Sequence, residues 1–267
     1  GGPVTRGRDR RLRLGSDASP FVLVLSGTAG DGSGAIVAVD DAGALRVLAD
    51  VPKAGEDDGG GARLVGTSRD GSAILVAGRI QAPGTAGSAK PPQALWKVGT
   101  AGGIEKALDL SYSVPMLEGW ITSSGAYVEV AWWGNVAAIP APFRSARGLY
   151  FVSGGGATEI AGSTVASLEW PEQLVSLFAI PTADFEGAWL LRRGSGKPTV
   201  LAKHTPAGGL VEKWTDPTAP EVEALHAGAS GSRLLVQVHR PRPQMDARLF
   251  KDPALALWED GQPAPRA

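Results

Sequence analysis

The chain contains no cysteine, which excludes disulfides, thiol catalysis and every cysteine-ligated metal or iron–sulfur centre. Histidine is nearly as scarce. The three present, His204, His226 and His239, lack the spacing of a zinc site. Neither a metal nor a cofactor is expected. No charge of one sign dominates: 26 Lys and Arg oppose 27 Asp and Glu, for a net charge of −1. There is thus no whole-molecule field to attract nucleic acid or anionic lipid. No apolar run approaches the roughly 18 residues of a membrane span. The serine elbow of hydrolases, the phosphate loop and the dinucleotide fingerprint are also missing.

What the sequence does have is punctuation. Its 37 glycines and 20 prolines in 267 residues predict short elements and no long helix. Hydrophobic content of 43% with 20% charge is that of a globular chain, one long enough to bury about 70% of its unfolded surface. One pattern recurs: a short strand, a tight polar turn, then a more apolar strand. Its clearest copy runs from Arg63 to Val76, around Ser68-Arg69-Asp70-Gly71-Ser72. Other copies are centred on Ser16 to Pro20, Ser124-Gly125, Pro171-Glu172 and Ser230-Gly231. A second hairpin follows each copy, turning at Asp40 to Gly43, Ala101 to Gly103, Gly154 to Gly156, Gly194 to Gly196 and Asp260-Gly261.

Five such units at intervals of roughly 50 residues predict an all-β, five-bladed β-propeller of four-stranded antiparallel blades. The blades fall at about 11–50, 62–110, 117–162, 164–204 and 221–267, in one domain with a basic arm over 1–10. A β-sandwich, or part of a larger propeller, is the alternative. A sandwich strand alternates strictly, whereas Val22 to Leu25 and Ile74 to Ala77 are apolar throughout, as for a blade packed between two neighbours. The stretch Ser68-Arg69-Asp70-Gly71-Ser72-Ala73-Ile74-Leu75-Val76 resembles the serine–x–aspartate–glycine core of TolB-like propeller repeats. Ser124-Gly125 and Ser230-Gly231 lack the aspartate, and Pro171-Glu172 lacks the whole motif. The resemblance implies a propeller outside the cytoplasm, periplasmic or secreted, that binds other proteins. It carries over no catalytic residue.

Loop length singles out one face. First-to-second and third-to-fourth turns are short in every unit. The connections Ile80–Gln93, Gly134–Gly148, Ile180–Gly187 and His239–Pro253, with the inter-blade stretches Ala49–Ala62 and Thr205–Pro220, are longer. In a propeller the long classes open on one face, and binding residues gather on loops over a scaffold. The Gly134–Gly148 and His239–Pro253 loops carry Phe143, Arg144, Arg242, Met245 and Phe250, types enriched at protein interfaces. These are the candidate anchors for a protein partner. The alternative folds the apolar ones back as lids.

Glu129 places a carboxylate where other units place Leu23, Leu75 and Leu235, so it must meet a cation or border water. Trp132-Trp133 ends the same strand, and Trp133 is a candidate ligand platform. Glu56-Asp57-Asp58-Gly59 lacks the alternating oxygen ligands of a calcium loop. Arg6, Arg8, Arg10, Arg11 and Arg13 against Asp9 alone could grip an acidic partner. No catalytic residue stands out. The functional expectation is a non-catalytic protein-binding or scaffolding propeller within a larger extracytoplasmic assembly. Its alternatives are a propeller-type glycan hydrolase or lyase, with carboxylates gathered from distant strands, or a carbohydrate-binding lectin.

Overall fold

A computed structural model describes residues 21–25, 33–40, 42–53, 61–85, 91–111, 116–131, 141–145, 147–162, 176–193, 198–216, 221–227, 233–241 and 251–259. Every described element is a β-strand, and the strands fall into antiparallel groups in chain order. The first group holds β1 (Phe21–Leu25), β2 (Gly34–Val39) and β3 (Leu45–Val51). The second holds β4 (Arg63–Ser68), β5 (Ala73–Gly78), β6 (Ala94–Gly99) and β7 (Ile104–Asp109). The third holds β8 (Met116–Ile121), β9 (Ala126–Ala131), β10 (Arg147–Ser153) and β11 (Gly156–Gly162). The fourth holds β12 (Ser176–Pro181), β13 (Ala188–Arg193), β14 (Thr199–Thr205) and β15 (Gly209–Asp216). The last holds β16 (Glu221–Ala227), β17 (Arg233–Pro241) and β18 (Lys251–Glu259).

The second and third groups join through parallel pairing of their first strands, Gly66 opposite Gly119 and Thr67 opposite Trp120, into one eight-stranded sheet. Glycine is obligatory at that junction. A Cβ on Gly66 would stand 1.7 Å from the Gly119 carbonyl oxygen, and one on Gly119 would stand 2.1 Å from that of Tyr127. The chain divides into two compact units. The first contains β1 to β9, apart from Ala131, with residues 140–144 and 152–158, and the second contains most of the remainder.

The two-faced apolar second strand β5 behaves as expected: all six of its residues are buried. In the first unit Ile36, Leu48, Ile74, Val76 and Ile80 form a buried cluster against which Trp96 and Ile104 pack. Each such side chain contributes roughly 1.5–3 kcal/mol on burial. In the second unit Trp189, Leu191, Leu201, Leu234 and Trp258 make the corresponding cluster. The Trp189 and Trp258 rings meet edge to face at 5.1 Å, and the Lys203 ammonium lies 5.2 Å from the Trp189 ring centre.

Strand placement departs from the sequence expectation in the fourth group. The stretch Ile180–Gly187, read as a second-to-third connection, is the turn between β12 and β13, the first two strands of a complete four-stranded sheet. Thr205–Pro220, read as an inter-blade connection, contains β15. That strand ends its sheet, so it shows no apolar period: Val211 is 49% exposed and Glu212 is exposed. Both ends of the expected His239–Pro253 connection are paired strand, with Arg240 opposite Asp252 and Pro241 opposite Lys251, and residues 242–250 lie outside the described residues.

Candidate functional site

Within the first unit, one row of register partners crosses the second group. Gly66 pairs with Leu75, Leu75 with Lys97, and Lys97 with Glu105. The row begins apolar and buried, Leu75 being 1% exposed, and ends on two exposed, oppositely charged side chains. It forms one wall of a groove of about 370 Å³. The β8–β9 turn supplies Ser123 and Ser124 to the other wall, and the end of β10 with the turn after it supplies Ser153, Gly154 and Gly155, above Ile121 and Val152. Ile121 and Val152 are buried, so the floor is apolar and the walls carry hydroxyl and charge. Lys97 and Glu105 face each other in register without an ion pair, whereas the neighbouring Lys106 ammonium is held by Asp109 at 2.8 Å. Among the described residues no aromatic side chain lines the groove.

The carboxylates nearest the turns are used differently. In the β4–β5 turn one Asp70 oxygen accepts from the Ser72 amide at 3.0 Å, the Ser72 hydroxyl at 2.8 Å and the Ser68 hydroxyl at 2.7 Å. These bonds hold its pKa down at about 2, with the Ser72 amide the largest cause. The Ser68 oxygen in turn accepts from the Ala73 amide. The β12–β13 turn repeats the arrangement. The Thr182 hydroxyl donates to Asp184 at 2.5 Å, the Glu186 amide donates to the same oxygen at 3.1 Å, and the Gly187 amide donates to Thr182 Oγ1. The Asp184 carboxyl is likewise lowered, first by the Thr182 hydroxyl. Sequence reading found the first copy and missed the second. A third polar cluster lies on β10 and β11, where the Ser145 and Tyr150 hydroxyls both donate to Glu159 Oε2, at 2.6 and 2.8 Å. The Ser145 amide donates to the Tyr150 oxygen, so that hydroxyl group is fully engaged.

The described part of the long loops is tied down. Asp50 and Gln81 exchange both backbone hydrogen bonds, and Asp50 Oδ2 accepts from the Gly84 amide. Arg79 donates to the Pro91 carbonyl, and the Ser111 amide donates to the Ala141 carbonyl. Phe143 is 4% exposed, while Arg144 beside it is exposed. Glu129 is half-buried and has an interaction partner. Burial lowers the pKa of His204. Arg242, Met245, Phe250, Trp133, residues 56–59 and the arginine arm lie outside the described residues. Trp120 and Trp189 are buried, which removes both as open stacking platforms. The groove residues Lys97, Glu105, Ser123, Ser124 and Ser153 were not anticipated. Their signal was faint: two charges facing each other across the Thr100–Gly103 turn, at positions of one face of a hairpin.

No protein-family model matches the chain, and no curated protein matches it in sequence. Solved structures do match in shape. An oligogalacturonate lyase from Vibrio parahaemolyticus aligns at a TM-score of 0.54 and 15% identity, over 95% of this chain and 63% of that one. A prolyl endopeptidase aligns at 0.55 and 14%, over 96% of this chain and 35% of that one. Prolyl oligopeptidase B from Galerina marginata aligns at 0.50 and 11%, over 92% and 31%. The chain therefore spans less than two thirds of the length of each. At these identities the likeness concerns the fold, and it places this all-β chain among the β-propellers. Among the described residues no helix is long and apolar enough to cross a membrane.

Proposed function

We propose that the chain is a five-bladed β-propeller of TolB-like repeats that works by binding protein, as a subunit of an extracytoplasmic assembly, and not by catalysis. The observation that carries this reading is the fate of the turn carboxylates. Asp70 and Asp184 are both lowered in pKa and committed to turn hydrogen bonds, so neither is poised as a general acid. The recurrence of one serine- or threonine-anchored aspartate turn in two sheets supports the repeat assignment. The proposed contact face is that of the long loops. There Arg144 is the exposed contact and buried Phe143 its support, with Arg242, Met245, Phe250, Glu129 and Trp133 as further contacts. The arginine arm engages an acidic surface of the partner.

The second reading is an acidic-glycan lyase or hydrolase. It draws on the likeness to the oligogalacturonate lyase, which at 15% identity reaches the fold alone. One experiment separates the two. A photo-crosslinking residue replaces Arg144, and the protein is exposed to an extracytoplasmic fraction of its source while the purified chain is assayed on oligogalacturonate. A discrete protein adduct without turnover supports the binding reading. Turnover without an adduct replaces it with the enzymatic one.

A further inference from the structure

The groove beside β6 and β7 is separate from the proposed long-loop contact, because short first-to-second and third-to-fourth turns build its far wall. We propose that it binds a short peptide segment, a carboxylate side chain pairing with Lys97 and a basic one with Glu105. This rests on the protein-binding reading and adds a second contact to it. The row from Leu75 through Lys97 to Glu105 covers two inter-strand steps, about 10 Å, within the span of a tripeptide. Its chemistry runs in order: an apolar start at Leu75, Ile121 and Val152, all buried, then a cation, then an anion.

Other ligand classes fit less well. A polyanion such as nucleic acid meets Glu105 immediately beside the one lysine of the groove without an ion pair. A sugar finds hydroxyl partners but no ring to stack on, since none of the described lining residues is aromatic. A short peptide with an apolar, an acidic and a basic side chain matches the row in composition and order, its backbone turning so that all three face the groove, since a fully extended chain would send neighbours to opposite sides. Because Lys97 and Glu105 are exposed and unpaired with each other, their replacement leaves the fold intact.

The test is an NMR titration of the full isotope-labelled chain with two capped tripeptides, acetyl-Leu-Glu-Lys-amide and acetyl-Leu-Lys-Glu-amide, and with digalacturonate. The first peptide is expected to shift the amides of Gly125, Gly154 and Gly155 and to bind more tightly than the second. Lys97→Glu weakens it about threefold to fivefold, the scale of an exposed charge pair. The double variant Lys97→Glu with Glu105→Lys reverses the preference between the peptides. Equal binding of both peptides, no shift at the groove, or a groove response to digalacturonate alone overturns the proposal. If the groove fails while an adduct still forms at position 144, the protein-binding reading stands without it. If the adduct and the groove both fail, that reading falls as well.

Discussion

Two turns in different parts of the chain solve the same problem with different residues. The β4–β5 turn uses Ser68, Asp70 and Gly71, and the β12–β13 turn uses Thr182, Asp184 and Phe185. In both, a hydroxyl donates to the aspartate and accepts an amide five residues on. The residue after each aspartate has positive φ, 70° at Gly71 and 64° at Phe185. Glycine holds that conformation without strain, but a non-glycine residue there costs on the order of 1–3 kcal/mol. The two turns also differ in cover: Ser68 is half-buried, whereas Thr182 is buried at 5% exposure and Gly187 is buried with it. The feature the two turns share is thus a hydrogen-bond circuit, and the sequence that closes it differs.

The largest expected effect tests the difference in cover. Thr182→Val keeps the shape of the side chain but leaves the buried Gly187 amide without its acceptor. Stranding such a donor costs about 1–3 kcal/mol. Ser68→Ala removes the same link in a wetter turn, where water replaces the hydroxyl, and should cost about 1 kcal/mol. Urea unfolding of the two variants measures the contrast. Equal losses would mean that burial does not distinguish the circuits.

Next in size is the positive-φ position. Gly71→Ala is expected to destabilise by about 1 kcal/mol and Phe185→Gly to stabilise by up to about 1 kcal/mol, since glycine relieves the strained conformation. Phe185 is half-buried, so lost packing reduces the gain. Thermal unfolding gives the signs directly. A loss on Phe185→Gly would show that its packing outweighs its strain.

This pair of turns also explains what the sequence disclosed. The hairpin rhythm and the two-faced apolar strands such as β5 were legible because burial on both sides forces a continuous apolar run. Ser68 to Ser72 was legible because its glycine and serines match a familiar repeat. Thr182 to Gly187 was not: Phe185 stands where a pattern expects glycine, and threonine replaces serine. The hydrogen-bond geometry is common to both and is invisible to letters. Losing that turn misplaced the neighbouring strands, and the polar, exposed edge strand β15 offered no period to restore them. The groove was hidden for another reason. Its row joins Leu75, Lys97 and Glu105 through strand register, and its second wall comes from turns further along the chain. No local spacing encodes that meeting.

The smallest effect is in acid. The native state holds Asp70 at about 2, below its ordinary 3.8, because the Ser72 amide and the two serine hydroxyls favour the ionised form. Its contribution to stability is therefore fully present above pH 3.8 and is lost as the pH falls towards 2. Asp70 is nearly fully exposed, so water competes for those bonds. The contribution is then about 1 kcal/mol or less, short of the full linkage value. Asp70→Asn should flatten the stability profile between pH 4 and 2 while changing little of its shape above pH 5. Asp184→Asn should act in the same direction, since the Thr182 hydroxyl lowers that carboxyl too. Urea midpoints for the parent and both variants across this range decide the matter. A profile for Asp70→Asn as steep as the parent's would mean that the turn holds its aspartate by geometry and not by charge.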